Sequence, residues 1–267
     1  MVVVAHPGDE AFGFGGAIAS AAAAGAYVVV VCVTRGWFDA RLTAGSPAAG
    51  GKNRDVKTGA INWRNIDTVR EDELRRSVAL LGVRVVRMLD YAEGDLDREN
   101  FDNLVGRIVE PIRMHRPEVI LSFGPDGATG DTDHVVLSRA VRAAYDRAAE
   151  PLAYEDDLEE DQVAWRAAKL YELVVPQSSM ASLTGPLPAE RYGSAAEATV
   201  ALQIGDLAQL KLAAISRHVS QTGSAGPFHD WGSDRLDAWL GTEHYRLAAS
   251  ALPLQGGGEV SLFDGLP

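Results

Sequence analysis

Basic residues are scarce in this chain. It carries 25 Lys and Arg against 37 Asp and Glu, a formal net charge of -12. Such a surface argues against nonspecific binding to nucleic acid or anionic lipid, which needs clustered cations. One or two local arginines still leave room for an acidic small molecule. Cysteine is nearly absent. The single Cys32 excludes an intrachain disulfide and reads as a small hydrophobe inside an apolar strand, in keeping with a reducing cytoplasm. Long hydrophobic runs are missing as well. The longest candidate, Ala17 to Val33, is interrupted by Gly25 and divides into helix and strand, so no membrane span is expected. No basic region with a following apolar core opens the chain, so no secretory signal is read.

What remains is ordinary globular composition, 46% hydrophobic and 23% charged over 267 residues, enough for one sizeable α/β core. Val2 to Ala5 reads as a short strand. Phe12 to Ala24 reads as an Ala-rich helix stopped by Gly25, and Tyr27 to Thr34 as a buried strand. Ala40 to Ala60 reads as a long loop. Helices are expected at Arg70 to Leu81, Phe101 to His115 and His134 to Ala149, with strands at Val83 to Leu89 and Pro117 to Phe123. This alternation predicts a Rossmann-like layered α/β fold with a mainly parallel central sheet. The second half is less legible: an acidic cluster at Tyr154 to Asp161, a strand near Lys169 to Val175, and a helix over Asp206 to Arg217 capped by Asp206. Residues 1–252 are read as one domain, and 253–267 as a Gly-rich, poorly ordered tail.

Parallel sheets gather functional residues at the carboxyl ends of their strands. Two loops expected there carry dense polar chemistry. Ala5-His6-Pro7-Gly8-Asp9-Glu10 follows the first strand, and its tight turn lets His6 and Asp9 face one side. Asp131-Thr132-Asp133-His134 follows the fourth parallel strand. Two His and one Asp make an open, three-ligand site of the kind catalytic zinc uses. Taken singly these signals are weak, since Asp131 or Asp133 could simply cap the helix that follows.

Several ordered motifs together resemble the LmbE-like, or PIG-L, N-deacetylases. Ala5-His6-Pro7-Gly8-Asp9-Glu10 is similar to that family's Ala-His-Pro-Asp-Asp-Glu signature. Gly15-Gly16, Thr34-Arg35-Gly36, Arg70-Glu71 with Glu73-Leu74, and Leu81-Gly82-Val83 fall in the family's order. Gly127 to His134 resembles its Gly-x-x-Gly-His-x-Asp-His segment. Lys211-Leu212-Ala213-Ala214 and His218-Val219-Ser220-Gln221 resemble its late elements. The resemblance implies a hydrolase using zinc or another divalent metal held by His6, Asp9 and His134, which removes acetyl from an N-acetylated sugar conjugate or related small amide. Two positions depart from the pattern. Gly8 stands where the family has its general-base aspartate, and Asp131 where it has a histidine serving the tetrahedral intermediate. Each loss typically costs a factor of about 10²–10⁴. Asp131, with Glu10 and Asp133 as further carboxylates, is the candidate substitute. The alternative is a catalytically impaired homologue that still binds metal and sugar.

Around this site, Arg35 and Glu93 are candidate substrate contacts for sugar hydroxyls or phosphate; a surface ion pair and a solvated turn are the plain readings. His218 reads as a supporting residue rather than a ligand, and His115 as a helix-ending cation. His229, Trp231, Trp239, His244 and Tyr245 read as packed core before a sugar-binding floor. Gly13, Gly15 and Gly16 do not form a nucleotide loop, which sets aside a nucleotide-binding module. A homo-oligomer is left open.

Overall fold

The computed structural model describes residues 1–36, 66–154, 162–176, 196–222, 240–253 and 259–266. The loop expected at Ala40 to Ala60, most of the acidic cluster, and His229, Trp231 and Trp239 lie outside the described residues.

Strand β1 (Val2–Val4) leads through helix α1 (Asp9–Ala23) to β2 (Val29–Thr34). Then follow α2 (Ile66–Leu80), β3 (Val85–Tyr91), α3 (Phe101–His115), β4 (Val119–Phe123), α4 (Thr132–Arg147) and β5 (Lys169–Val174). Beyond these come β6 (Val200–Gln203), α5 (Ala208–Ile215), the short α6 (Val219–Thr222) and β7 (Thr242–Ser250). The sheet order is β3-β2-β1-β4-β5-β7-β6. Strands β3 to β5 pair in parallel, and β7 pairs antiparallel with both β5 and β6. The expected mainly parallel, Rossmann-like sheet is therefore present.

The parallel strands are apolar along their length because both faces are covered. Every residue of β1, β2 and β4 is buried. Helix α1 packs beside α2, and α3 beside α4, the grouping that right-handed crossovers produce on the two faces of such a sheet. Helix α5 packs against α1 and α2. The chain runs outward from β1 through β2 to β3, returns to β4, and then runs the other way. Neighbours β1 and β4 thus form the topological switch point, where the loops leaving their carboxyl ends diverge and open a crevice.

Helix termini follow local chemistry. Gly25 (φ +88°) and Gly82 (φ +82°) take the left-handed conformation that ends α1 and α2, as their positions in the sequence predict. Other expectations need correction. Asp206 does not cap a helix: it lies inside a 3₁₀ turn, Gly205–Leu207, and α5 begins after Leu207 without a side-chain cap. His115, in the last turn of α3, is held below its ordinary pKa, first by burial and then by the nearby Arg87 charge. Strands β6 and β7 are not legible in the sequence, because their apolar alternation is weak and their pairing partners lie far along the chain. In the tail, residues 259–266 return to the domain: Leu262 is buried, and Glu259 accepts from Lys169 and Tyr171. No helix among the described residues is long and apolar enough to cross a membrane.

Candidate metal centre

At the end of β1 the chain turns through His6-Pro7-Gly8 into α1. The Asp9 N–H donates to the His6 carbonyl at 3.2 Å, and the His6 N–H donates to Asp9 Oδ2 at 2.8 Å. Gly8 is the N-cap of α1 at φ +115°, and Asp9 and Glu10 occupy the first helical turn, where carboxylates suit the helix dipole. From β4, the Gly124–Asp131 loop leads to α4. Asp131 caps that helix, its Oδ1 accepting from the N–H groups of Asp133 (2.8 Å) and His134 (3.3 Å). Gly127 lies under His134: at φ +67°, a Cβ there would come 2.9 Å from His134 Cβ. Only glycine lets the histidine lie so close to its own loop.

Each histidine is oriented by its second nitrogen. His134 Nδ1 faces the Gly127 carbonyl at 3.0 Å and so carries the proton, while the ring stacks on Phe123 at 3.9 Å. This leaves Nε2 pointing into the site. His6 Nε2 meets Asp133 Oδ2 at 3.0 Å, which leaves Nδ1 pointing the same way. Asp133 is itself buried; against the cost of burial, its hydrogen bond with His6 and then the N–H groups of Gly94 and Leu96, from which it accepts, hold its carboxyl below the usual range. It acts on the site through His6, not by reaching it.

The two inward nitrogens lie 3.3 Å apart. Asp9 Oδ2 is 3.5 Å from His6 Nδ1 and 3.3 Å from His134 Nε2. Two imidazole lone pairs and a carboxylate converging without a cation would repel. In the protein alone, protons fill that role. Burial opposes charging His6, but Asp133, Asp9, Glu93 and Asp131 outweigh it and raise its pKa to about 9. His134 is likewise raised, burial being outweighed by Asp9. Asp9 is driven well below the carboxylate range by His134 and His6 despite its burial. A divalent ion meets the same demand. Tetrahedral zinc with Zn–N and Zn–O bonds near 2.0–2.1 Å sets its ligand atoms about 3.3–3.4 Å apart, and the spacing here fits. An oxygen of Asp131 also comes within 4.8 Å of one nitrogen on each of His6 and His134.

The other candidates are placed differently. Glu10 is wholly buried, with its oxygens accepting from Gly8 N, Ser77 Oγ and His218 Nε2, so it supports the turn and does not face the site. Arg35, just past β2, donates to Asp90 at 2.6 Å and approaches Glu71 at 3.5 Å, which is the surface ion pair. Glu93, beyond β3, pairs with the buried Arg70, which also donates to the Gly36 and Pro7 carbonyls. His218 is a supporting residue, as expected. Tyr245 is buried and donates to Glu243, so it belongs to the core.

The roles of Arg70, Glu73 and Gln221 emerge only in the fold. Glu73 accepts from Ser220, and Gln221 donates to the Pro7 carbonyl. The late His-x-Ser-Gln element was visible as a motif, but its partners lie as far as 214 residues away along the chain.

The family model described as PIG-L, GlcNAc-PI de-N-acetylase, matches residues 1–145. A 1D-myo-inositol 2-acetamido-2-deoxy-alpha-D-glucopyranoside deacetylase of Geodermatophilus obscurus is 28% identical over 301 residues, covering 100% of this chain and 97% of that protein. A protein of the same name from Streptomyces scabiei is 27% identical, covering 100% and 89%. Among solved structures, N,N′-diacetylchitobiose deacetylase from Pyrococcus horikoshii superposes with a TM-score of 0.64 at 18% identity, covering 92% of this chain and 82% of that one. GalB, a 4-carboxy-2-hydroxymuconate hydratase from Pseudomonas putida, does so at 0.62 and 19%, covering 95% and 97%. The structural likenesses establish the fold, which carries more than one chemistry. The catalytically impaired reading finds no support in these relatives.

Proposed function

This chain belongs to the PIG-L, GlcNAc-PI de-N-acetylase family, and from that membership we propose that it is a zinc-dependent hydrolase removing acetyl from an N-acetylated amino sugar. The relatives' shared name makes an inositol-linked N-acetylglucosamine the first substrate to test. The observation that carries the reading is the convergence of His6 Nδ1, His134 Nε2 and Asp9 Oδ2, mutually 3.3–3.5 Å apart, at the switch point of the sheet. These three residues would hold the ion. When bound, the ion supplies a Lewis acid for the amide carbonyl and lowers the pKa of water.

The protein's own groups do the rest. Asp131 stands near both histidines, with its orientation set by the α4 cap. It takes the proton of the attacking water as the oxygen adds to the acetyl carbon. It returns that proton to the amine nitrogen as the C–N bond breaks, releasing acetate and the free amino sugar. Asp133 holds the tautomer and direction of His6. Arg35 and Glu93, beyond the ends of β2 and β3, contact substrate hydroxyls by exchanging their present ion-pair partners. The lone, buried Cys32 suits work in the cytoplasm.

Acetate release from the inositol-linked substrate and from N-acetylglucosamine, measured with metal content, tests this. Asp131→Asn is expected to lower turnover by about 10²–10⁴ while leaving zinc bound. Zinc-loaded wild type inert on both substrates would count against the reading, and full activity in Asp131→Asn would remove that residue's role.

A further inference from the structure

Pro7–Gly8 is the central peptide of the turn between His6 and Asp9, and it is gripped from both sides. The Gly8 N–H donates to Glu10 Oε2 at 2.7 Å. Glu10 is wholly buried, and its other oxygen accepts from Ser77 Oγ and His218 Nε2, each at 2.7 Å. On the opposite side the Pro7 carbonyl accepts from the Gln221 carboxamide and from Arg70. His218 and Gln221 come from one short stretch at α6, so a single distant element reaches both sides of the turn.

The grip has a physical reason. Gly8 has no Cβ and sits at φ +115°, so sterics restrain the orientation of this peptide very little. A flip would break the Glu10, Gln221 and Arg70 contacts to this peptide and reset ψ of Pro7 and φ of Gly8, the torsions that join the two ligand residues. His218 also looks costly as mere packing. Its Nε2 carries the proton given to Glu10, and its buried Nδ1 has no partner among the described residues. An apolar residue would avoid that desolvation cost, whereas only a donor can orient Glu10.

We infer that Glu10 with His218 behind it, and Gln221 opposite, are positioning residues that lock the Pro7–Gly8 peptide and so preset the His6–Asp9 half of the metal site. The inference rests on the metal reading proposed above. Its readout is zinc affinity, measured by competition with a chromophoric chelator, alongside thermal melting of the metal-free protein. His218→Leu is expected to weaken zinc binding about 10- to 100-fold, the usual scale for groups that orient ligands. His218→Gln, which keeps a donor near the Nε2 position, should recover most of that loss. Gln221→Ala removes an exposed side chain and should weaken zinc binding severalfold with metal-free melting unchanged.

Zinc affinity equal to wild type in His218→Leu and Gln221→Ala would overturn the inference and leave these residues purely structural. Equal losses in His218→Leu and His218→Gln would overturn the hydrogen-bond account of His218. If His218→Leu does not fold, Gln221→Ala decides alone. A wild-type chain that binds no zinc would remove the metal reading itself, which is a separate result from variants that bind as well as wild type.

Discussion

Gly8 sits at φ +115°, and the Gln221 carboxamide lies 2.9 Å from where its Cβ would be. An aspartate restored there therefore meets a strained backbone and an occupied space. Gly8→Asp is expected to cost about 1–3 kcal/mol in chemical denaturation and to leave turnover no higher than wild type. A tenfold gain in turnover would show that the turn can rearrange around a restored base. His6 supports a second expectation. In metal-free protein its pKa, raised to about 9, exceeds the unfolded value near 6.5. A raised pKa means stabilisation that is fully present below pH 6.5 and lost as pH rises through about 9. After chelation, the melting difference between wild type and His6→Asn should be larger at pH 6 than at pH 10. A constant difference would contradict the assigned charge.

Among the elements, α1 and β7 are joined by a buried ionic group. Glu243 accepts from Lys211 Nζ (2.7 Å), the Gly16 and Ala17 N–H groups (2.7 and 2.8 Å), and the Tyr245 hydroxyl (2.7 Å). Lys211 and Glu243 are both buried, so removing one strands the other's charge. Glu243→Ala is expected to lower unfolding free energy by about 3–5 kcal/mol, and a joint Lys211→Met, Glu243→Ala replacement by less. Urea unfolding of the single and double variants checks this; equal losses would mean the charge left behind is not the cost. The interaction also explains Gly16. A Cβ there would lie 2.5 Å from Ile204 and 3.0 Å from Glu243, so the glycines of α1 serve close packing and not a phosphate loop.

At the scale of the molecule, residues 259–266 pack back against β5. Leu262 joins the core, and Glu259 satisfies the buried Lys169 and Tyr171 of β5. The Tyr171 hydroxyl, buried and facing the Glu259 carboxylate, is held far above its ordinary pKa. Deleting residues 259–267 leaves the Lys169 charge buried and unpaired, and is expected to cost about 3–5 kcal/mol. Because this segment attaches to β5, zinc affinity at the β1–β4 switch point should persist wherever the truncated chain remains folded. Melting and zinc titration of the truncated chain measure both, and an unchanged melting temperature would show that the segment is dispensable.

By itself the sequence determined what local physics controls. Apolar runs of strand length, Gly25 and Gly82 as helix stops, and the alternation of strand and helix specified the parallel layers. The His6–Asp9 and Asp131–His134 loops were legible because polar residues crowd where strands end. Tertiary structure alone decided which groups act together. Strand order brings β1 beside β4 and makes two loops into one crevice, although more than a hundred residues separate them. The carboxylates could not be sorted from spacing. Burial turns Glu10 inward to His218 and Asp133 onto His6, while capping holds Asp131 at the site's edge. Partner choice by a buried charge depends on desolvation and distance in three dimensions, which one-dimensional order does not contain.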